Sequence, residues 1–353
     1  MAFSFGFSGD DIEEDHDDVL NRPHDVQQVD DSPPPIPATP HDLEKLLSTL
    51  PDKISYSTVN ITSPKGFTVR LSRRDLFDVR LQLMAEDSFA SETPLVGLDT
   101  SDLRPNIYEG GYKTWECSID LVKYLLDYGP RKDLDDLHRV DHVVEMGCGS
   151  ALPSLILFDY ALREGLGIYF TLTDYNADVL RLVTLPNLLL TWAGTLSDVD
   201  SQRLFGDESN PLLHGDGGGD LFLTPRILAG FQHTLSQIGI TLTLLSGSWT
   251  PTTTLLSFIP SSPDLNTFIL GSETIYSPSS LTAFTEAMVA LMARVKTGKT
   301  IVAAKRVYFG VGGSVDSFRE ECSTRGTVAC EIDFEGLETN GTLFYAVIED
   351  EHE

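Results

Sequence analysis

Residues 142–154 read HVVEMGCGSALPS, and this stretch decides the fold. A short apolar run ends in a Gly-Cys-Gly turn, and small and apolar residues follow the turn. Gly147 and Gly149 allow the chain to turn tightly and to approach a ligand without a Cβ atom in the way. The pattern is typical of a strand, a turn and a helix at a nucleotide site. It leaves two ligands open, a dinucleotide and S-adenosylmethionine.

The residues around the turn favour S-adenosylmethionine. A dinucleotide site prefers Gly-x-Gly-x-x-Gly because the pyrophosphate rests against a helix N-terminus, and the sixth position here is Leu152. The carboxylate of Glu145, just before the turn, would instead suit a cationic sulfonium and an amine. An NAD-dependent dehydrogenase is the least favoured interpretation, since no catalytic His/Asp pair stands out.

Strand and helix patterns alternate from residue 140 to the end of the chain. Such alternation predicts an α/β fold with a mostly parallel sheet that is covered on both faces. The last two strand patterns, TVACEIDF (327–334) and GTLFYAVIE (341–349), follow one another through a short turn. We therefore expect an antiparallel final pair of strands.

The rest of the chain divides by composition. Residues 1–45 hold 12 acidic and 2 basic residues and six prolines, which predicts a disordered tail. Residues 46–112 contain alternating patterns and predict an N-terminal helix and a β-rich lead-in to the domain at 113–353. Within that domain, 197–237 contains GDGGGD (215–220) and is expected to be a loop insertion.

The net charge of -28 limits the partners that this protein can have. Proteins that bind nucleic acid or anionic membranes directly present basic surfaces, so both partner classes are disfavoured, whereas a basic protein partner is favoured. The sequence has no apolar run near 18 residues and no signal-peptide pattern at its start, which predicts neither a membrane span nor secretion. Its four cysteines lack metal-site spacing, so we expect no metal and reduced thiols in the cytoplasm or nucleus.

Ligands of open α/β sheets lie beyond the carboxyl ends of the strands, so polar residues there are site candidates. Asp174 can accept hydrogen bonds from ribose hydroxyls, or it can cap the helix predicted over 176–193. Trp249 can cover an adenine face, or it can belong to the core. Glu273 can orient or deprotonate a nitrogen nucleophile, or it can cap the helix that begins near Pro278.

Several of these stretches together resemble the histidine protein methyltransferases, a branch of the seven-β-strand, S-adenosylmethionine-dependent protein methyltransferases. The matching segments are YEGGYKTWECSIDLVKYL (108–125), VVEMGCGSALPS (143–154), DYNADVLRLVTLPNLLL (174–190), SGSW (246–249) and GSETIYS (271–277). The resemblance implies a Rossmann-like class I methyltransferase with a seven-stranded sheet. Ala151 stands where many members of the wider superfamily have a third glycine.

The resemblance also implies a set of site residues. Ser272 would lie near the transferred methyl group. From position alone, after the fourth strand, we assign the catalytic role to Glu273 with support from Tyr276. Together, the strand-end chemistry and the resemblance give as cofactor-binding candidates Thr114, Trp115, Glu116, Cys117, Ser118, Glu145, Gly147, Cys148, Gly149, Asp174, Tyr175, Gly247, Ser248, Trp249 and Ser272.

The implied activity is transfer of a methyl group from S-adenosylmethionine to the distal ring nitrogen of a histidine in a large-subunit ribosomal protein. Ribosomal proteins are basic, which agrees with an acidic enzyme, and we expect a monomer. Two alternatives stay open. One is a lysine methyltransferase of the same fold, in which Glu273 would act as a general base. The other is a non-catalytic assembly factor that shields a basic ribosomal protein.

Overall fold

The strands and helices largely follow the alternation in the sequence. The computed structural model describes residues 34–87, 111–129, 140–206, 208–214, 217–337 and 341–348. The strands within these ranges are β1 (Thr39–His41), β2 (Lys53–Thr62), β3 (Thr68–Arg74), β4 (His142–Met146), β5 (Tyr169–Asp174), β6 (Gly218–Phe222), β7 (Thr241–Ser246), β8 (Asn266–Ser272), β9 (Thr297–Lys305), β10 (Thr327–Ile332) and β11 (Gly341–Ile348).

The helices in the same ranges lie mostly between the strands. They are α1 (Leu43–Ser48), α2 (Leu76–Asp87), α3 (Glu116–Tyr128), α4 (Leu152–Glu164), α5 (Ala177–Val179), α6 (Leu185–Thr195), α7 (Asp198–Phe205), α8 (Pro211–His214), α9 (Pro225–Ile238), α10 (Thr252–Phe258), α11 (Pro278–Met292) and α12 (Val315–Thr324). A π-helical turn, Leu180–Thr184, joins α5 to α6. No helix of the described segments has the length and apolar character that a bilayer span requires.

The main sheet has eight strands in the order β1-β7-β5-β4-β8-β9-β11-β10. Strands β7, β5, β4, β8 and β9 run parallel, and β11 and β10 pair antiparallel at one edge. The predicted α/β class, the mostly parallel sheet and the antiparallel final pair are therefore confirmed. The sheet has one strand more than the seven expected, because β1 pairs antiparallel with β7 at the other edge.

The chain order reverses at β4, whose neighbours are β5 on one side and β8 on the other. Met146 at the end of β4 lies opposite Thr173 of β5 and Gly271 of β8. The residues that follow these three strands are therefore brought together at one edge of the sheet. In open α/β sheets this switch point is where the ligand crevice forms.

Helices cover both faces of the sheet, as its apolar strands require. All five residues of β4 are buried. Alternate strand residues pack against α3, α4, α6 and α9 on one face, and against α10, α11 and α12 on the other. Because both faces are covered, β4 and β8 carry adjacent apolar residues, Val143 and Val144 in β4 and Phe268 to Leu270 in β8.

A second sheet, in the order β3-β2-β6, corrects the prediction of a loop insertion over 197–237. The segment contains α7, α8, most of α9 and the strand β6. Gly218 and Gly219 of the GDGGGD motif pair with Ser57 and Tyr56 of β2. A Cβ atom at Gly218 would lie 2.6 Å from the Tyr56 carbonyl oxygen, so the glycine permits a close approach between strands.

The structure also corrects the end of the predicted tail. Residues 1–33 of the tail lie outside the described residues, but β1 and the start of α1 fall within the range that composition assigns to it. Thr39 lies opposite Ser246 in the antiparallel pair with β7, and Ala38 is buried. An edge strand is held by main-chain hydrogen bonds, so the scarcity of large apolar side chains does not prevent its pairing.

Residues 76–87 form a helix, α2, within the segment whose alternating patterns predict a β-rich lead-in. Val79 and Leu83 are buried together with Val179 and Leu182. Their spacing of four residues places them on one face of a helix, and the alternating pattern of this short segment fits both periods. Packing of Val79 and Leu83 against Val179 and Leu182 therefore favours the helix over a strand.

Phe284 of α11 connects the core to the strand ends, and its truncation should be costly. Its ring is fully buried, 5.6 Å from the Trp249 ring and 6.2 Å from the Phe318 ring between centroids. Phe284→Ala is expected to lower the free energy of unfolding by about 3–5 kcal/mol, since it leaves a cavity. Denaturant titration measures this, with Val199→Ala, at a 78% exposed position of α7, as a control expected to change it by less than about 0.5 kcal/mol. A loss below about 1 kcal/mol for Phe284→Ala would contradict the packing.

Candidate active site

The glycine turn connects β4 to α4 through three left-handed residues. Gly147, Gly149 and Ala151 have φ values of 71°, 50° and 58°. The Cys148 N–H donates to the Thr173 carbonyl oxygen at 2.8 Å, which fixes the turn against β5. The Cys148 side chain is buried, with Sγ 3.6 Å from Thr184 Oγ1, and burial raises the pKa of its thiol, which keeps it neutral.

A close approach of neighbouring segments explains the two glycines. A Cβ atom at Gly147 would lie 3.0 Å from Thr274 and 3.5 Å from the Trp249 ring, and one at Gly149 would lie 3.2 Å from the Gly111 carbonyl oxygen. The turn therefore contacts segments that follow β7 and β8 and the segment that precedes α3.

Glu145 is buried below the turn, bonded to the helix that follows. Its Oε2 accepts a hydrogen bond from the Ser154 N–H at 3.0 Å and so caps the first turn of α4. Burial raises the pKa of this carboxyl to about 8. The prediction that Glu145 contacts the cationic donor requires an accessible carboxylate, whereas this residue is 1% exposed. The structure thus gives it a helix-capping role.

This buried carboxyl makes stability depend on pH. Between the ordinary pKa near 4.5 and about 8, the folded protein keeps a proton that the unfolded chain has released, so stability falls as pH rises through this window. The expected contribution is roughly 5 kcal/mol. Glu145→Gln, which is neutral throughout, is expected to remove this slope in denaturant titrations at about pH 5, 6, 7 and 8. Glu320→Gln, at an exposed position of α12, should keep the wild-type slope. Equal slopes for wild type and Glu145→Gln would refute the assignment of this pH dependence to the Glu145 carboxyl.

Asp174 ends β5 with its carboxylate directed to the glycine turn. Its Oδ2 accepts from the Gly149 N–H at 3.0 Å, and its Oδ1 accepts from the Asn176 N–H at 2.9 Å. The N-cap position of α5 is Asn176, not Asp174. Asp174 therefore lies beside the turn, where its carboxylate could accept hydrogen bonds from ribose hydroxyls. It does not cap the helix that follows.

The segment before α3 lies over this carboxylate. A Cβ atom at Gly111 would be 3.1 Å from Asp174 Oδ2. Thr114 Oγ1 donates to Ser150 Oγ at 3.1 Å, which ties the segment to the glycine turn. Trp115 is the N-cap residue of α3, and its carbonyl oxygen accepts from the Ser118 hydroxyl at 2.6 Å. The predicted Thr-Trp-Glu-Cys-Ser segment is thus adjacent to the crevice, with Cys117 and Ser118 buried in α3.

The residues after β7 form the other side of the crevice. The Gly247 N–H donates to the carbonyl oxygens of Asp174 and Tyr175, both at 3.0 Å. Trp249 Nε1 donates to Thr173 Oγ1 at 3.2 Å, so the indole extends across the ends of the strands. Trp249 is partly buried and also packs on Phe284, so it serves the core as well as the crevice.

Sequence reasoning missed a contribution from the start of the chain. The Ser248 N–H donates to the Ile36 carbonyl oxygen at 2.7 Å, and the Tyr175 hydroxyl accepts from the Ile36 N–H at 3.3 Å. A Cβ atom at Gly247 would lie only 2.4 Å from the Pro37 carbonyl oxygen. Residues 36–37 therefore cover the side of the crevice that we assign to adenine.

Glu273 follows β8 in a conformation that is rare for a residue other than glycine. Its φ is 56°, and its N–H donates to the Ala303 carbonyl oxygen at 2.9 Å. Such strain costs about 1–3 kcal/mol and is concentrated at functional sites. The N-cap of α11 is Ser277, which forms a capping box with Ser280, so Glu273 does not cap that helix.

Lys305 and Tyr308 complete the surroundings of Glu273, and neither was predicted. Lys305 Nζ lies 3.4 Å from Glu273 Oε1 and 3.2 Å from Glu116 Oε2. Burial opposes the charge on Lys305, but the two carboxylates outweigh it and raise the pKa of the ammonium. The Tyr308 hydroxyl accepts from the Lys305 N–H at 3.2 Å. The signal that could have found Lys305 is its position at the carboxyl end of β9.

Ser272 ends β8, directly before Glu273, and Tyr276 follows three residues after Glu273. Ser272 Oγ is buried and has no hydrogen-bond partner within the described segments, so it is a polar atom that a ligand could satisfy. The Tyr276 carbonyl oxygen accepts from the Gly313 N–H at 2.9 Å. Asp174, Trp249, Ser272 and Glu273 thus follow or end strands at the switch point, whereas Glu145 is buried below the glycine turn.

The crevice has a carboxylate at each end and no metal-binding cluster among the residues described. Groups of three or more His, Cys, Asp or Glu side chains arranged to hold a metal are not found in those ranges. Asp174 can accept from ribose hydroxyls, Trp249 can pack on a purine, and Glu273 can bind an N–H or a cation. These groups fit S-adenosylmethionine. The four cysteines are free thiols.

Known proteins similar to this chain are methyltransferases by name. The chain is 38% identical over 347 residues to histidine protein methyltransferase 1 of Saccharomyces cerevisiae, which covers 90% of this chain and 89% of that protein. It is 35% identical to histidine protein methyltransferase 1 of Schizosaccharomyces pombe, over 90% of this chain and 84% of the relative. No family model matches. Among solved structures, the rRNA methyltransferase aviRa from Streptomyces viridochromogenes is similar with a TM-score of 0.37 and 11% identity, over 72% of this chain and 93% of that one.

Proposed function

The chain belongs to the histidine protein methyltransferase family, and on that premise we propose that it methylates the distal ring nitrogen of a histidine in a basic protein of the large ribosomal subunit. The enzyme is an S-adenosylmethionine-dependent protein-histidine methyltransferase. The observation that carries the acceptor assignment is the ion pair between Glu273 and Lys305 at the end of β8, beside the crevice.

Residues on the β5 side of the crevice would hold the methyl donor. We assign the ribose hydroxyls to Asp174 and the adenine face to Trp249, with Gly247 and Ser248 beside it. When bound, S-adenosylmethionine supplies a methyl carbon that its sulfonium activates for in-line displacement by nitrogen. The protein therefore needs no covalent nucleophile, and its contribution is to hold donor and acceptor in line, which can lower the barrier by about 7–11 kcal/mol.

Residues on the β8 side would hold the acceptor. A histidine side chain has an ordinary pKa of about 6.5, so one ring nitrogen is already nucleophilic near pH 7. The Glu273 carboxylate would accept the N–H of the ring nitrogen nearer the main chain. This selects the tautomer with its lone pair on the distal nitrogen, and it stabilises the imidazolium that forms.

The Lys305 ammonium favours histidine over lysine as the acceptor. A lysine acceptor is cationic near pH 7 and must lose a proton to a base. Lys305 lies 3.4 Å from Glu273, so its positive charge already partners the carboxylate that would serve as that base. It would also repel an incoming ammonium. A neutral imidazole meets neither obstacle.

The acidic composition supports a basic protein as the substrate. A net charge of -28 attracts basic proteins and repels nucleic acid. Large-subunit ribosomal proteins are basic and are made in the cytoplasm and assembled in the nucleus, so we propose that the enzyme acts in these compartments, as a monomer. The binding role of an assembly factor uses the same attraction and would not need Glu273.

Methyl transfer into ribosomal proteins tests the proposal. Purified proteins of the large subunit, taken from cells that lack the enzyme, are incubated with it and S-adenosylmethionine carrying a labelled methyl group. We expect label in one protein, and peptide mapping by mass spectrometry should place it on the distal nitrogen of a histidine. Label on a lysine would establish the alternative acceptor, and stable binding of a ribosomal protein without label would establish the assembly factor.

A further inference from the structure

The loop from Arg306 to Gly313, which follows β9, presents apolar side chains to solvent next to Glu273. Phe309 is 92% exposed, Val307 is 50% exposed and Val311 is 40% exposed. A phenylalanine that is almost fully exposed gains nothing from folding, because its apolar surface remains in water. Its whole ring is therefore available for burial against a partner.

Hydrogen bonds hold this loop in a defined conformation. The Tyr308 N–H donates to the Gly313 carbonyl oxygen at 3.0 Å, and the Gly312 N–H donates to the Tyr308 carbonyl oxygen at 3.1 Å. Val307 and Ser314 form an isolated antiparallel bridge across its base. The exposed side chains are thus displayed on a structured loop, which binds a partner with less loss of conformational entropy than a flexible one.

The loop is anchored in the acceptor side of the active site. The Gly313 N–H donates to the Tyr276 carbonyl oxygen at 2.9 Å, and a Cβ atom at Gly313 would lie 2.1 Å from the Ile275 carbonyl oxygen. Between the exposed Val307 and Phe309, the Tyr308 hydroxyl reaches the main chain of Lys305, the residue paired with Glu273. The loop that carries the apolar side chains is therefore attached to residues that surround Glu273.

The charge beside the loop suits a basic partner. Arg306, at the start of the loop, pairs with Glu331. This pair neutralises the only basic residue between 306 and 313. A basic protein therefore meets no unpaired positive charge of this loop, while the net negative charge of the whole chain attracts it.

We propose that Phe309, with Val307 and Val311, binds an apolar side chain of the substrate protein that lies close to the acceptor histidine. The inference rests on the proposed ribosomal substrate and deepens it. Long-range charge attracts every basic protein, so it selects poorly among them, whereas buried aromatic anchors supply most of the binding energy at protein interfaces. The substrate site would thus comprise a basic segment, one apolar anchor and the histidine.

Steady-state kinetics with large-subunit ribosomal proteins and labelled S-adenosylmethionine test this role. Phe309→Ser is expected to raise KM for the protein substrate about tenfold or more, with kcat and the Kd of S-adenosylmethionine within about twofold of wild type. A change confined to KM is what loss of uniform binding produces. Phe309→Leu, which keeps an apolar group, should stay within about threefold of wild type.

Phe222→Ser is the matched control, because Phe222 is 54% exposed on β6 of the second sheet. It should leave KM, kcat and the Kd of the donor unchanged. A KM for Phe309→Ser within about twofold of wild type would overturn the docking role while leaving the ribosomal acceptor in place. If wild-type enzyme labels no ribosomal protein, the acceptor proposal fails and the docking role falls with it.

A photocrosslinker gives an independent readout. Benzoylphenylalanine at position 309 is expected to crosslink to the same ribosomal protein that carries the label, near the modified histidine in the peptide map. The same probe at position 222 should give no such product. A crosslink to a different region of the substrate, remote from the histidine, would contradict the proposed anchor.

Discussion

Asp174→Asn is expected to weaken S-adenosylmethionine binding about 100-fold or more. The side chain is buried, and each of its oxygens already accepts a main-chain N–H, from Gly149 and from Asn176. An amide in its place carries no charge and turns an NH2 group toward one of these donors. Hydrogen bonds to a charged group contribute about 1.5–3 kcal/mol each. Losing the two hydrogen bonds from the ribose hydroxyls would therefore raise the Kd of the donor by about 100-fold or more.

Isothermal titration of the donor into the purified variant measures the effect. Asp178→Asn is the matched control, since Asp178 lies on the same segment and pairs with Arg181 rather than with the turn. Its Kd should remain within about twofold of wild type. Thermal melting shows whether each variant is folded. A folded Asp174→Asn enzyme that binds the donor within about threefold of wild type would show that this carboxylate only braces the turn.

The central part of the fold follows from local sequence patterns. The five residues of β4 are buried, and its adjacent apolar residues, followed by a glycine turn, favour a strand that is covered on both faces. The glycine turn after it needs left-handed backbone at Gly147 and Gly149, which the sequence supplies. Parallel register then brings the ends of β4, β5 and β8 together, so the alternation of strands and helices alone is enough to predict that Asp174 and Glu273 share one edge of the sheet.

The edges of the two sheets could not be predicted in the same way. Strands β1 and β6 are held by main-chain pairing with β7 and β2, which lie far away in sequence. Neither has an apolar pattern of its own, and both lie in segments whose proline, glycine and acidic content is typical of loops. Their partners, not their own side chains, decide their conformation.

Long-range contacts also explain what was missed in the site. Lys305 is a lysine at a strand end, and such residues are usually solvated; its role emerges only when the left-handed turn at Glu273 directs that carboxylate toward it. Glu145 was expected to contact the donor because it precedes the turn. Its carboxyl instead points to the Ser154 N–H, a choice set by side-chain packing below α4.

The Glu273 side chain is the group on which the proposed acceptor chemistry depends. It is 6% exposed and lies 3.4 Å from the Lys305 ammonium, which pairs with its charge. The strained φ of 56° fixes the direction of this carboxylate, and the bond from its N–H to Ala303 holds the strain in place. A fixed, charged acceptor beside the crevice can both orient an imidazole and stabilise the positive charge that methylation creates.

Glu273→Gln should therefore lower kcat for methylation of the histidine substrate about 100-fold or more, within the range typical of groups that assist proton and charge changes in a transition state. The variant keeps the size of the side chain and one acceptor oxygen, but it loses the charge that stabilises the imidazolium. The Kd of S-adenosylmethionine should stay within about twofold of wild type, since the donor is assigned to the β5 side. Single-turnover assays with saturating donor measure the chemical step directly.

Glu320→Gln, an equal change on the exposed surface of α12, should leave the rate unaltered. If folded Glu273→Gln enzyme transfers the methyl group within about threefold of the wild-type rate, this carboxylate does not orient the acceptor, and the ion pair with Lys305 is structural only.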